Sequence, residues 1–172
     1  MTSCQVTHAA QDEIHVLRYF GRVDYMVAPA IKQFTDMLVA KGGVRALIFD
    51  LTRAQSLDST NLGLLARLSE SILSSGGARS VIVSTSKDIN SVLHSMCFDE
   101  VFEIVSERRE AAPLTGGEEI VGTSTAPSAE ELRGTMLEAH RTLVALNEAG
   151  RLQFQDVVAC LDAEEASAKP AS

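Results

Sequence analysis

Arg45-Ala46-Leu47-Ile48-Phe49-Asp50-Leu51, followed after five intervening residues by Leu57-Asp58-Ser59-Thr60-Asn61-Leu62-Gly63, decides how the rest of this chain is read. The first run is apolar and of strand length, as expected for a strand buried on both faces of a parallel sheet. The second opens a helix, because Leu62, Leu65, Leu68, Ser69 and Ile72 recur at spacings that keep one face apolar. Asp58 or Ser59 is its N-cap, with a side-chain oxygen meeting an orphan amide. A serine at such a helix mouth is placed to carry a phosphate, since the first-turn amides and the helix dipole favour negative charge.

Working outward, Glu13 to Tyr19 alternates as a strand, and Gly21 with Asp24 supplies turn chemistry for a hairpin or a bulged edge. Pro29 sits at a helix start, Ile31, Phe34 and Leu38 form its stripe, and Gly42-Gly43 ends it. Beyond the central helix, Gly76-Gly77 stops the chain and Ser80 to Ser84 reads as a short strand. Ser86 caps a third helix carrying Ile89, Val92, Leu93 and Met96, and Val101 to Val105 reads as the last strand. Apolar strands alternating with helices predict an α/β fold with crossover connections after an antiparallel start.

The pattern Asp58-Ser59-Thr60-x-Leu62-Gly63 after an apolar strand resembles the Asp-Ser-Ser-Gly-Leu-Gly signature of STAS domains in bacterial anti-sigma factor antagonists. Phe20-Gly21-Arg22-Val23-Asp24 is similar to that family's Gly-x-x-Asp turn after the first strand. The likeness spans roughly residues 13 to 105. It implies a STAS-like mixed sheet flanked by helices. It also implies that Ser59 is phosphorylated by an anti-sigma factor that is a serine kinase, with Thr60 at the second hydroxyl as a secondary candidate. Asn61 stands where the family has glycine. The implied function is a partner switch: the unphosphorylated chain sequesters the kinase and frees a sigma factor, the phosphorylated chain lets go, and a PP2C-type phosphatase resets it. An alternative within the same resemblance is a STAS scaffold module in a sensory complex without direct sigma control. Because one phosphate excludes only a partner that covers it, the expected contact comprises Asp58, Ser59 and Thr60 with Asn61, Leu64 and Arg67 on exposed first turns of the helix.

From 106 to 127 the chain turns to Glu, Arg, Gly, Thr and Pro and reads as a linker. Ser128-Ala129-Glu130-Glu131 is a capping-box pattern opening a helix with Leu132, Met136, Ala139 and Leu143 on one stripe. A break over Asn147 to Gly150 precedes a second helix carrying Leu152, Val157, Val158 and Leu161. The expected organisation is therefore a STAS domain over 1–105, a linker over 106–127, a C-terminal helical extension over 128–165 and a disordered tail over 166–172. The stripes of the extension must be covered by the core, by a second chain in a homodimer, by a separate partner or by each other, and the short break favours a helical hairpin of the two, with docking on the core optional.

Composition narrows the function. At 172 residues and 45% hydrophobic, the chain can bury about 70% of its unfolded surface without a staple. A net charge of −8 opposes nucleic acid as a direct partner, since phosphate-backbone binding needs clustered Lys and Arg. The acidity is concentrated towards the C-terminus: residues 1–105 carry 9 basic and 11 acidic side chains, residues 106–172 carry 6 and 12. Cys4, Cys97 and Cys160 are far apart, which suits a reducing cytoplasm rather than a disulfide framework, and Cys97 between Met96 and Phe98 reads as a buried, inert thiol. No apolar run reaches the roughly 20 residues of a membrane span, and the first residues lack the pattern of a signal peptide.

Enzymatic readings find few parts. His8, His15, His94 and His140 share no metal-ligand spacing and are expected at the surface or in structural packing. A nucleophile elbow, a P-loop and a dinucleotide fingerprint are all missing. Asp50 invites comparison with the phosphorylated aspartate of response-regulator receivers, but an acidic pair after the first strand and a lysine after the last are lacking. It reads instead as a polar strand end. The expectation is a cytoplasmic switch protein, not an enzyme, with no cofactor and no metal.

Overall fold

A computed structural model describes residues 4–106, 117–120 and 126–170. β1 (Gln5–Gln11) and β2 (Ile14–Val23) pair antiparallel around Asp12 and Glu13, both at positive φ (50° and 63°). Two successive left-handed residues match the twist of a tight hairpin. The chain therefore reverses before the first expected strand, not at Gly21–Asp24. β1 escapes a pattern reading because Val6 is its only fully buried residue. Gly21, at φ 72°, instead serves a register shift between β2 and β3, and Asp24 Oδ1 accepts the Met26 amide on the way into α1 (Ala28–Lys41). Pro29 lies in the first turn of α1, and Gly42 ends the helix at φ 70° with its N–H bonded to the Leu38 and Val39 carbonyls.

β3 (Ala46–Leu57) runs six residues past its expected end. It pairs in parallel with β2 as far as Val23↔Leu57, but with β4 (Val81–Val83) only over Ile48–Asp50. The overhang carries the chain beyond the β4 edge and delivers Asp58 to the start of α2 (Ser59–Ser74). Asp50 is thus mid-strand rather than a strand end. It is buried, accepts from the Thr52 amide and hydroxyl, and lies 3.6 Å from Arg18 Nε on the neighbouring strand.

Ser86 caps α3 (Lys87–Ser95) as expected, although Val92 faces solvent. Cys97, half-buried rather than buried, adopts a left-handed φ of 53° that opens a 3₁₀ turn (Phe98–Glu100). β5 (Glu103–Val105) follows, shorter than the expected strand because Val101 and Phe102 complete that turn. Within the stretch read as linker, β6 (Glu118–Glu119) pairs antiparallel with β1, and the Ile120 amide donates to Val6 O. Positions 107–116 and 121–125 lie outside the described residues. The mixed sheet has the order β5-β4-β3-β2-β1-β6.

α4 (Ala129–Leu146) starts with both halves of the Ser128/Glu131 capping box, and α5 (Glu148–Ala168) starts after the single residue Asn147. α5 continues three residues into the stretch expected as tail. The two helices form a hairpin closed so tightly that a Cβ on Gly150 would sit 1.9 Å from Leu143 O. α4 also packs on α1 and α2. The core joins Leu17, Leu47, Phe49, Leu51 and Ile82 of the sheet to Ile31 of α1, Leu65 and Leu68 of α2 and Leu93 of α3, and it extends to Ala139, Leu143 and Phe154 of the hairpin. Full burial of each such Leu or Phe contributes about 1.5–3 kcal/mol.

Candidate functional site

The site forms where β3 hands over to α2. Asp58 is extended (φ −85°, ψ 172°), and its Oδ1 accepts from the Asn61 amide at 3.0 Å and from Asn61 Nδ2 at 2.9 Å. Asp58 is therefore the cap, and Ser59, the first helical residue, has a side chain free for other use. Its hydroxyl lies 2.9 Å from His140 Nε2 of α4. The other ring nitrogen, Nδ1, is 2.7 Å from Met136 O. A carbonyl only accepts, so Nδ1 carries a proton and donates to Met136 O; in the singly protonated ring Nε2 is then the acceptor for the Ser59 hydroxyl. The imidazole is buried and meets the Phe154 ring edge-on at 5.4 Å.

One turn further along α2, Gly63 faces the backbone of α4: a Cβ there would lie 2.4 Å from Ala139 O. Another turn on, Arg67 reaches two carboxylates, Asp36 Oδ1 of α1 at 2.6 Å and Glu138 Oε1 of α4 at 2.7 Å. Lys32 Nζ closes the quartet at 2.7 Å from Asp36 and 3.2 Å from Glu138. Burial alone raises the Asp36 carboxyl, but hydrogen bonds from Lys32 and Arg67 outweigh it and hold that carboxyl below its ordinary range. The same pairing with Asp36, then with Glu138, raises Lys32.

The residues singled out from the sequence come together at this mouth, but not as an exposed face. Asp58, Ser59 and Arg67 are half-buried, whereas Thr60, Asn61 and Leu64 are buried, at 3% exposure or less. Of the three residues expected on exposed turns, two are therefore covered and the third is ion-paired. The cause is that α2 is enclosed by the sheet, α1 and α4. The contacts of Glu138, Ala139 and His140 with α2 are what sequence reading missed. The stripe they border was visible in the spacing of Met136, Ala139 and Leu143, but its target was not.

Away from this site, His8 Nε2 and His15 Nδ1 lie 2.9 Å apart with stacked rings beside Phe34. Burial holds both imidazoles below the ordinary histidine value, helped for His8 by His15 and for His15 by Lys41. Among the described residues, no helix is long and apolar enough to cross a membrane.

The STAS domain family model matches residues 5–111. Among solved structures, the chain is similar to a Thermotoga maritima protein assigned as an anti-sigma factor antagonist, with 25% identity, 62% of this chain and 90% of that one covered, and a TM-score of 0.55. An anti-sigma factor antagonist from Mycobacterium paratuberculosis aligns at 24% identity over 62% and 88% of the two chains, with a TM-score of 0.54. The unphosphorylated form of the Bacillus antagonist SpoIIAA aligns at 20% over 63% and 92%, with a TM-score of 0.52. No curated protein matches the chain by sequence.

Proposed function

The chain belongs to the STAS domain family, and we propose that it acts in the cytoplasm as an anti-sigma factor antagonist whose partner switch is thrown by phosphorylation of Ser59. The observation that carries this reading is the division of labour at the helix start. Asp58 takes the capping bond, which leaves the Ser59 hydroxyl uncommitted to the helix start, beside the positive end of the α2 dipole. The similar folds support the role, since SpoIIAA has been solved in both unphosphorylated and phosphorylated forms.

In the switch, Ser59 Oγ attacks the γ-phosphorus of ATP held by the anti-sigma kinase. A new O–P bond forms, the bond to the β-phosphate oxygen breaks, ADP leaves, and the hydroxyl proton passes to a base of the kinase. The product carries about −1.5 to −2 charge on three acceptor oxygens. The helix start tolerates that charge, while the nearby Asp58 carboxylate and a desolvated partner surface oppose it. The chain binds and releases; it catalyses nothing itself. A PP2C-type phosphatase returns Ser59 to its hydroxyl form. Thr60, being buried, is the weaker acceptor.

The test is phosphate incorporation from labelled ATP with the cognate anti-sigma kinase. Wild type is expected to take up one phosphate, Ser59→Ala none, and Ser59→Ala is expected to stay bound to the kinase. Equal incorporation into Ser59→Ala removes Ser59 as the switch.

A further inference from the structure

Ser59, Gly63 and Arg67 lie on successive turns of one face of α2, and all three are already engaged by α4. Ser59 donates to His140, Gly63 abuts the Ala139 backbone, and Arg67 holds Glu138. These are the contacts a protein partner would make: an acceptor on the hydroxyl, a close backbone approach, and a carboxylate on the cation. We propose that the α4–α5 hairpin is a cis-acting cover of this face. A protein that reaches Ser59, a kinase included, then binds only the chain whose hairpin has lifted. The proposal rests on the reading of Ser59 as a switch residue for its purpose, but not for its mechanics.

Three observations make the hairpin a cover rather than a permanent part of the α/β unit. The family match ends at residue 111, before α4, and the solved similar folds align over about nine-tenths of their own length with only 62% of this chain. The family pattern is thus complete before the hairpin begins. The seam is also partly polar. Lys32, Asp36, Arg67 and Glu138 are all 25–38% exposed, so water can replace their pairing when the helices part. Finally, Ser59 Oγ has a buried imidazole nitrogen 2.9 Å away, in the space a phosphate and its three oxygens need. Modification and cover exclude one another. Because the cover is tethered, it competes with any partner at an effective concentration on the order of millimolar. The partner chemistry that fits the uncovered face is a helix with a carboxylate for Arg67 and Lys32, a small residue opposite Gly63, and an acceptor for Ser59.

Hydrogen–deuterium exchange read by mass spectrometry on the full-length chain tests this without any partner. Two variants probe the seam from opposite sides: Ser59→Glu, and Glu138→Arg, which sets a cation against Lys32 and Arg67. Both are expected to raise exchange at least tenfold across α4 and α5 while β2 and β3 keep wild-type rates. Unchanged exchange in the hairpin of both variants overturns the proposal. So does an equal rise in β2 and β3, which makes the hairpin inseparable from the core. With the anti-sigma kinase and ATP, Glu138→Arg should be phosphorylated on Ser59 at least fivefold faster than wild type. A kinase that modifies neither protein, together with selective exchange in the hairpin, leaves the cover in place and removes the sigma-switch reading instead.

Discussion

A hydroxyl at a helix start is released from capping when a neighbour does it. Here Asp58 binds both the amide and the side-chain amide of Asn61, so Ser59 contributes little to the helix and much to the contact with His140. That bond couples two residues 81 positions apart. A double-mutant cycle with Ser59→Ala and His140→Ala is expected to show a coupling of about 1 kcal/mol in urea unfolding, the net worth of a buried neutral hydrogen bond. Each single variant should destabilise, because it strands a polar atom or leaves a cavity, and the double variant should cost less than the sum. Strict additivity would mean that hydroxyl and imidazole do not meet in solution. That a cap sits at Asp58 or Ser59 was legible in the sequence, since capping chemistry is written within four residues, but the choice of Asp58 needed the structure. His140 was not legible, because a long-range bond leaves no local trace; its role is set by where α4 lands.

At the scale of elements, legibility followed how strongly each segment carries its own pattern. β3 was readable because residues 46–51 form a nearly continuous apolar run of strand length, and α2 because Leu62, Leu65, Leu68 and Ile72 hold a helical stripe. α4 was readable from its capping box. β1 was not, with Val6 alone fully buried, nor was β6, two glutamates whose strand character comes wholly from pairing with β1. The sharpest element-level test is Gly63. In an isolated helix, Gly→Ala gains about 1 kcal/mol from propensity. Here the new Cβ would meet the Ala139 backbone, which cannot rotate away. Gly63→Ala is therefore expected to lower the thermal midpoint or to detach α4, seen as faster proteolysis within residues 129–168. A raised midpoint with unchanged proteolysis would show that α4 does not sit on α2.

For the whole molecule, the question is what the α/β unit needs from the chain that follows β5. Two separate services are visible. The hairpin covers the α2 face, adding Ala139, Leu143 and Phe154 to the core, and β6 covers the free edge of β1. An uncovered edge strand offers unpaired amides and carbonyls to another chain. The proposed division at residue 105 removes both services; a cut after Ile120 removes only the first. Both fragments are expected to keep wild-type-like far-UV circular dichroism for the α/β unit, with a lower thermal midpoint, since apolar α2 surface becomes wet. They should differ in association: fragment 1–105 is expected to self-associate in sedimentation velocity at concentrations where fragment 1–120 stays monomeric. Equal association of the two would assign the effect to the bared α2 face rather than to the β1 edge. Loss of structure in both would mean that the buried side chains of the hairpin are indispensable to folding, and the separation of this chain into a domain and an extension would fail with it.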